Sequence, residues 1–152
     1  MNRHRLFTIL VAFSRFGLAA LFLFTAGAKL AILERFAGNV AELLSSLKLN
    51  YERWQWPVTI GVIVAEVVAA VLLLLPRTVR VGAVLAGLLL VGFSAFALYY
   101  VYALHGEPLE CGCFGGIIAS QLGVKTALRN LALLVPALII FFGAPRLRNR
   151  VG

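Results

Sequence analysis

Charge is what this sequence has least of: 13% of its 152 residues are charged, against ~25% in an ordinary globular domain. Together with 62% hydrophobic residues and a mean hydropathy of +0.97, that shortage excludes a conventional water-soluble domain. Sulfur is nearly absent as well, with two cysteines and Met1 as the sole methionine. Two thiols with one nearby histidine, His105, fall short of the four ligands that a structural zinc site takes. No long linker, repeat or low-complexity segment divides the chain, so residues 1–152 read as one domain. What is present is apolar residues in long blocks, which argues for membrane spans. There is room for about four of them at ~20 residues each. The net charge of +8 does not point to nucleic acid, because the basic residues gather at the ends of the apolar blocks, where they anchor a membrane protein.

These blocks predict an all-α integral membrane protein: a four-transmembrane-helix bundle with spans at about 6–32, 57–75, 81–104 and 123–144. The first block is interrupted by Arg15 and Lys29, and the stretches on either side of Arg15 are each too short to cross alone, so a span here includes Arg15. Its basic start and "AGA" at 26–28 resemble a cleaved signal peptide, but such apolar regions are normally free of charge. Between spans one and two, Phe36, Val40, Leu43, Leu44 and Leu47 recur at helical spacing. They predict a short helix, either lying on the membrane surface or packed on the bundle. Pro57 suits the start of span two, which carries Glu66 near its middle. Span three has no charge, and span four carries Lys125 and Arg129 in its first half. Gly17, Gly27, Gly87 and Gly92 are expected to permit close helix packing.

Orientation follows from the positive charges. Arg3, Arg5, Arg77, Arg80, Arg146, Arg148 and Arg150 share one side; Arg35, Lys48 and Arg53, with Lys125 at a span end, share the other. The excess places both termini in the cytoplasm. Tyr51, Trp54, Trp56, Tyr99, Tyr100 and Tyr102 then form an outer aromatic belt. The loop bearing Cys111 and Cys113 faces outward, which in a bacterial cytoplasmic membrane is a side where disulfides persist.

That loop reads "ECGCFGG" at 110–116. A bridge between Cys111 and Cys113 closes a very small ring around Gly112, and strained, exposed disulfides are the oxidising, labile ones suited to exchange. Two rival readings stand beside this redox pair. Two thiolates suit near-linear Cu(I), and a structural staple is the third reading, although so short a loop removes little entropy. Charges inside the spans add weight to function. Arg15, Lys29, Glu66 and Arg129 are costly in lipid and should face the interior with partners. At ~1.5 Å per residue, Arg15 and Glu66 each lie ~14 Å deep in spans one and two, a depth at which they could pair. Lys29 and Arg129 belong to the outer half, below the cysteine loop. Either these charges fix helix register, or they form a cationic pocket for a thiolate or a bound anion such as a reduced quinone. Glu107 and Glu110 oppose the second effect at the thiols. Asn130 suits an interhelical hydrogen bond.

The chain resembles the methylamine-utilisation MauE family, within the MauE/DoxX group of redox-associated membrane proteins. The resemblance rests on Arg15 with Gly17, "AGAKL" at 26–30, Phe36, Glu66, the basic turn at 77–80, "CGCFGG" at 111–116 and "RN" at 129–130. It implies a four-helix membrane bundle, similar to the quinone-linked disulfide-generating proteins, that acts with a thioredoxin-like extracytoplasmic partner. It also implies a role in maturing client proteins with cysteines. In the namesake case the client is the disulfide-rich small subunit of methylamine dehydrogenase. Quinone-linked disulfide oxidases carry two cysteine pairs and this chain has one, so a full relay from substrate to quinone is not contained in it. The reading that results is membrane thiol–disulfide exchange by Cys111 and Cys113, with a quinone held near Arg129, Lys29, Glu66 and Arg15, or with a soluble carrier in its place. A Cu(I)-handling protein and a noncatalytic assembly subunit are the alternatives.

Overall fold

The structure is a computed structural model that describes residues 3–103 and 124–148. Among these residues it is all helical: α1 (Arg3–Ala31), α2 (Leu33–Ser46), α3 (Tyr51–Leu74), α4 (Val79–Ala103) and α5 (Val124–Arg148). Three helices are long and apolar enough to cross a membrane, over Leu6–Ala31, Tyr51–Leu74 and Val79–Tyr99. The apolar stretch of α5, Ala127–Gly143, is shorter. Large apolar side chains point outward along these helices, with Phe13 78% and Phe142 69% exposed. In water such a surface would aggregate; hydrocarbon is the solvent it suits. The chain is a membrane protein.

Helices α1, α3, α4 and α5 form a ring in which each packs on two neighbours, and α2 lies against α3. Small and apolar residues fill the interior: Leu18, Ala19 and Phe22 from α1, Ala70 and Leu73 from α3, Ala83, Ala86 and Leu90 from α4, and Ala137 and Ile140 from α5. Their spacing of three, four and seven residues is what keeps one stripe of each helix inward. α2 buries Ala37, Val40 and Leu44 and so packs on the bundle, the second of the two expected placements. It ends with Lys48 in the left-handed region at φ 56°. The Lys48 and Leu49 amides donate back to the Ser45 and Leu44 carbonyls at 2.9 Å each, a Schellman closure without the customary glycine.

α3 begins six residues before Pro57, and the Asn50 side chain caps it by accepting from the Arg53 amide at 3.3 Å. Pro57 is therefore inside the helix, two turns from its start. There the lost hydrogen bond falls to the Arg53 carbonyl, near an end where polar groups can satisfy it.

The packing glycines are not the expected ones. A Cβ added at Gly17, Gly27 or Gly92 would meet open space, and at Gly87 only an ordinary contact with Leu134 at 3.9 Å. Gly17, Gly27 and Gly92 lie on outward faces, where no neighbour requires a missing side chain. The close approaches are at Gly82, where a Cβ would lie 2.7 Å from the Leu73 backbone nitrogen, and at Gly143, where it would lie 2.5 Å from Val11 Cγ2.

Candidate functional site

Four buried polar residues, Thr25, Lys29, Glu66 and Asn130, gather where α1, α3, α4 and α5 meet. Thr25 and Lys29 stand one turn apart on α1 and face Glu66 of α3. Lys29 Nζ forms an ion pair with Glu66 Oε1, and both side chains are 1% exposed. Thr25 Oγ1 donates to the Phe22 carbonyl at 3.0 Å and lies 3.4 Å from the same Glu66 oxygen. The ammonium also sits over two aromatic faces, Phe93 of α4 at 4.6 Å and Phe36 of α2 at 5.5 Å from the ring centroids. Each contact offsets part of the cost of removing two charges from water. Asn130 of α5 is 6% exposed and completes the cluster. A cavity of about 20 Å³ opens among these side chains, lined by Thr25, Lys29, Glu66, Phe93 and Asn130 with apolar neighbours.

Lys29 and Glu66 are brought together as an ion pair, while the expected proximity of Arg15 to Glu66 does not hold. Arg15 lies half a bundle away, where its Nε and Nη2 donate to the Leu73 and Leu74 carbonyls. These are orphan acceptors at the C-terminal end of α3, where a cation is favoured. Glu66 is two turns back along α3, level with Lys29 instead, because α1 extends fourteen residues beyond Arg15 before its partner is reached. Thr78 Oγ1 closes the same end of α3 by donating to the Leu72 carbonyl at 3.1 Å. Arg129 is half-buried on α5, next to Asn130 in sequence, and is not among the residues lining the cavity. Thr25 and Phe93 were not anticipated. Thr25 had a signal, its i,i+4 spacing to Lys29; Phe93 had none.

Cys111 and Cys113, with His105, Glu107, Glu110 and Gly112, lie outside the described residues. α4 is described as far as Ala103 and α5 from Val124, and the two helices pack on each other, with Ser94 Oγ 3.5 Å from the Ala127 carbonyl. Phe93 is ten residues before Ala103 on α4 and Asn130 six after Val124 on α5. At ~1.5 Å per residue the buried ion pair is thus ~9–15 Å along the bundle from Ala103 and Val124.

The cavity decides what can enter. At about 20 Å³ it holds a water-sized molecule, whereas organic ligands occupy pockets of ~300–1,000 Å³. Lys29, Glu66 and their neighbours, as packed, do not fit a quinone ring, and Arg15 points to another end of the bundle. Among comparisons with known proteins, the family model described as methylamine utilisation protein MauE matches residues 7–143. No curated protein and no solved structure matches the chain.

Proposed function

The chain belongs to the MauE family, and on that premise we propose that it is a thiol–disulfide exchange protein of the bacterial cytoplasmic membrane. It works through Cys111 and Cys113 in the maturation of an extracytoplasmic protein that carries disulfides. The observation that carries this reading is the 110–116 sequence itself: the only two thiols of the chain stand one residue apart, in the segment joining α4 to α5. The family description names methylamine utilisation, and a disulfide-containing enzyme of that process is the client we propose. α1, α3, α4 and α5 are the four spans of this proposal. Both termini are cytoplasmic by the distribution of arginine, and the cysteine segment is extracytoplasmic.

In the exchange, a thiolate of the partner attacks one sulfur of the Cys111–Cys113 disulfide, and the neighbouring cysteine leaves as a thiolate. A second thiolate of the partner then attacks the mixed disulfide. The partner departs with a disulfide, two electrons remain here as two thiols, and the two thiol protons balance between them and the solvent. A thioredoxin-like carrier in its disulfide form restores the pair by the reverse sequence. No step is assigned to a quinone, since the Lys29–Glu66 cavity does not fit one.

The test is to replace Cys111 and Cys113 by serine, singly and together, and to follow disulfide formation in the client. Each single variant lacks the disulfide that the client thiolate attacks, so it should lose exchange. Its remaining thiolate can still attack the oxidised thioredoxin-like carrier and be trapped as a mixed disulfide, and the double variant should lose both the adduct and the function. A double variant that retains full function would replace this proposal with a noncatalytic assembly role.

A further inference from the structure

The centre of the ring is only partly matched in hydrogen bonds. Lys29 and Thr25 both address Glu66 Oε1. Glu66 Oε2 and Asn130 Nδ2 are buried and have no hydrogen-bond partner among the described residues, and both side chains line the same cavity. An acceptor with formal negative charge and an amide donor therefore belong to side chains that line one small cavity. Leaving such groups unpaired costs about 1–3 kcal/mol each, more for the charged one.

The cavity volume of about 20 Å³ exceeds the ~10–15 Å³ that one water requires and admits little else. Charge narrows the choice further. The Lys29 ammonium opposes a metal cation, and the Glu66 carboxylate opposes an anion. An apolar occupant would satisfy neither polar group. What remains is a neutral, water-sized molecule that both donates and accepts.

We propose that this cavity is a binding site for one water molecule, which donates to Glu66 Oε2 and accepts from Asn130 Nδ2. Its second hydrogen has Thr25 Oγ1 as an acceptor lining the same space, giving the three bonds typical of a buried water. The result is a continuous chain Lys29–Glu66–water–Asn130 that runs from α1 through α3 to α5. α3 and α5 stand diagonally across the ring and scarcely touch directly, so the water joins helices that side chains alone leave apart. The inference stands on the bundle and does not rest on the thiol chemistry.

The test uses the full chain in lipid nanodiscs. Infrared difference spectra between D₂O and D₂¹⁸O report interior water as an O–D stretching band that moves with the oxygen isotope. The wild type should show such a band from a hydrogen-bonded interior water. Asn130→Leu removes the donor and fills the space, and should abolish the band. Thr59→Val removes a buried hydroxyl that does not line the cavity, and should leave it unchanged. Glu66→Gln, nearly isosteric, should shift the band as its acceptor changes from carboxylate to amide, and it decides the matter if Asn130→Leu does not fold. No isotope-sensitive band in the wild type, or one indifferent to both Asn130→Leu and Glu66→Gln, overturns the proposal.

Discussion

Replacing Lys29 by methionine leaves the Glu66 carboxylate buried with its main partner gone. Both residues are 1% exposed, so solvent cannot substitute for the lost ammonium. Breaking a buried pair from one side costs about 3–5 kcal/mol. The ammonium's contact with the Phe93 ring at 4.6 Å is lost as well, a contact worth ~0.5–2 kcal/mol that overlaps with the first figure. At 1.4 kcal/mol per tenfold, 3–5 kcal/mol moves the unfolding equilibrium by roughly two to three and a half orders of magnitude. The pair Lys29→Met with Glu66→Leu behaves differently, because it removes both charges and keeps the volume apolar. Such replacements are often neutral, or stabilising by ~1–4 kcal/mol. The assay is equilibrium unfolding of the purified protein in mixed micelles, followed by far-ultraviolet circular dichroism. The reasoning fails if Lys29→Met costs less than ~1 kcal/mol, or if the double variant is no more stable than the single one.

Two further outcomes follow from the other ends of the bundle. Arg15→Leu should cost about 1.5–3 kcal/mol, since two carbonyls at the end of α3 lose a charged donor. In a Glu66→Gln background the same loss should appear within ~0.5 kcal/mol, because the two sites are separate, and a large coupling in unfolding experiments would contradict the geometry. Gly82→Ala should cost ~1–3 kcal/mol by forcing α4 off the backbone of Leu72 and Leu73. Gly92→Ala, which meets open space, should be neutral or stabilise by up to ~1 kcal/mol; thermal unfolding of the two variants side by side checks both.

The membrane class was legible because it depends on sums: apolar blocks of span length survive any error in a single residue. The helix between the first two blocks was legible for the same reason, its periodicity being carried by Val40, Leu44 and their neighbours. Pairing of charges was not. Depth counted along each helix treats the spans as starting level, whereas Glu66 meets Lys29, about four turns further along α1 than Arg15. Phe93 carries no sequence signal, since its role comes from packing α4 against the other helices and not from any spacing within α4. Gly82 escaped notice because it sits in the first turn of α4, where the close approach is set by how α3 and α4 are joined. The Lys48 closure of α2 was hidden because glycine is the residue that usually marks it.

Exchange chemistry is tested most directly by a redox titration of the purified full chain in detergent, with free thiols trapped by a mass-tagging alkylating reagent. The account predicts a reversible two-electron transition of Cys111 and Cys113 between about −120 and −270 mV, the range of exchange proteins. Thiols that stay reduced under mild oxidant, or a bridge that resists reduction below about −300 mV, would contradict it.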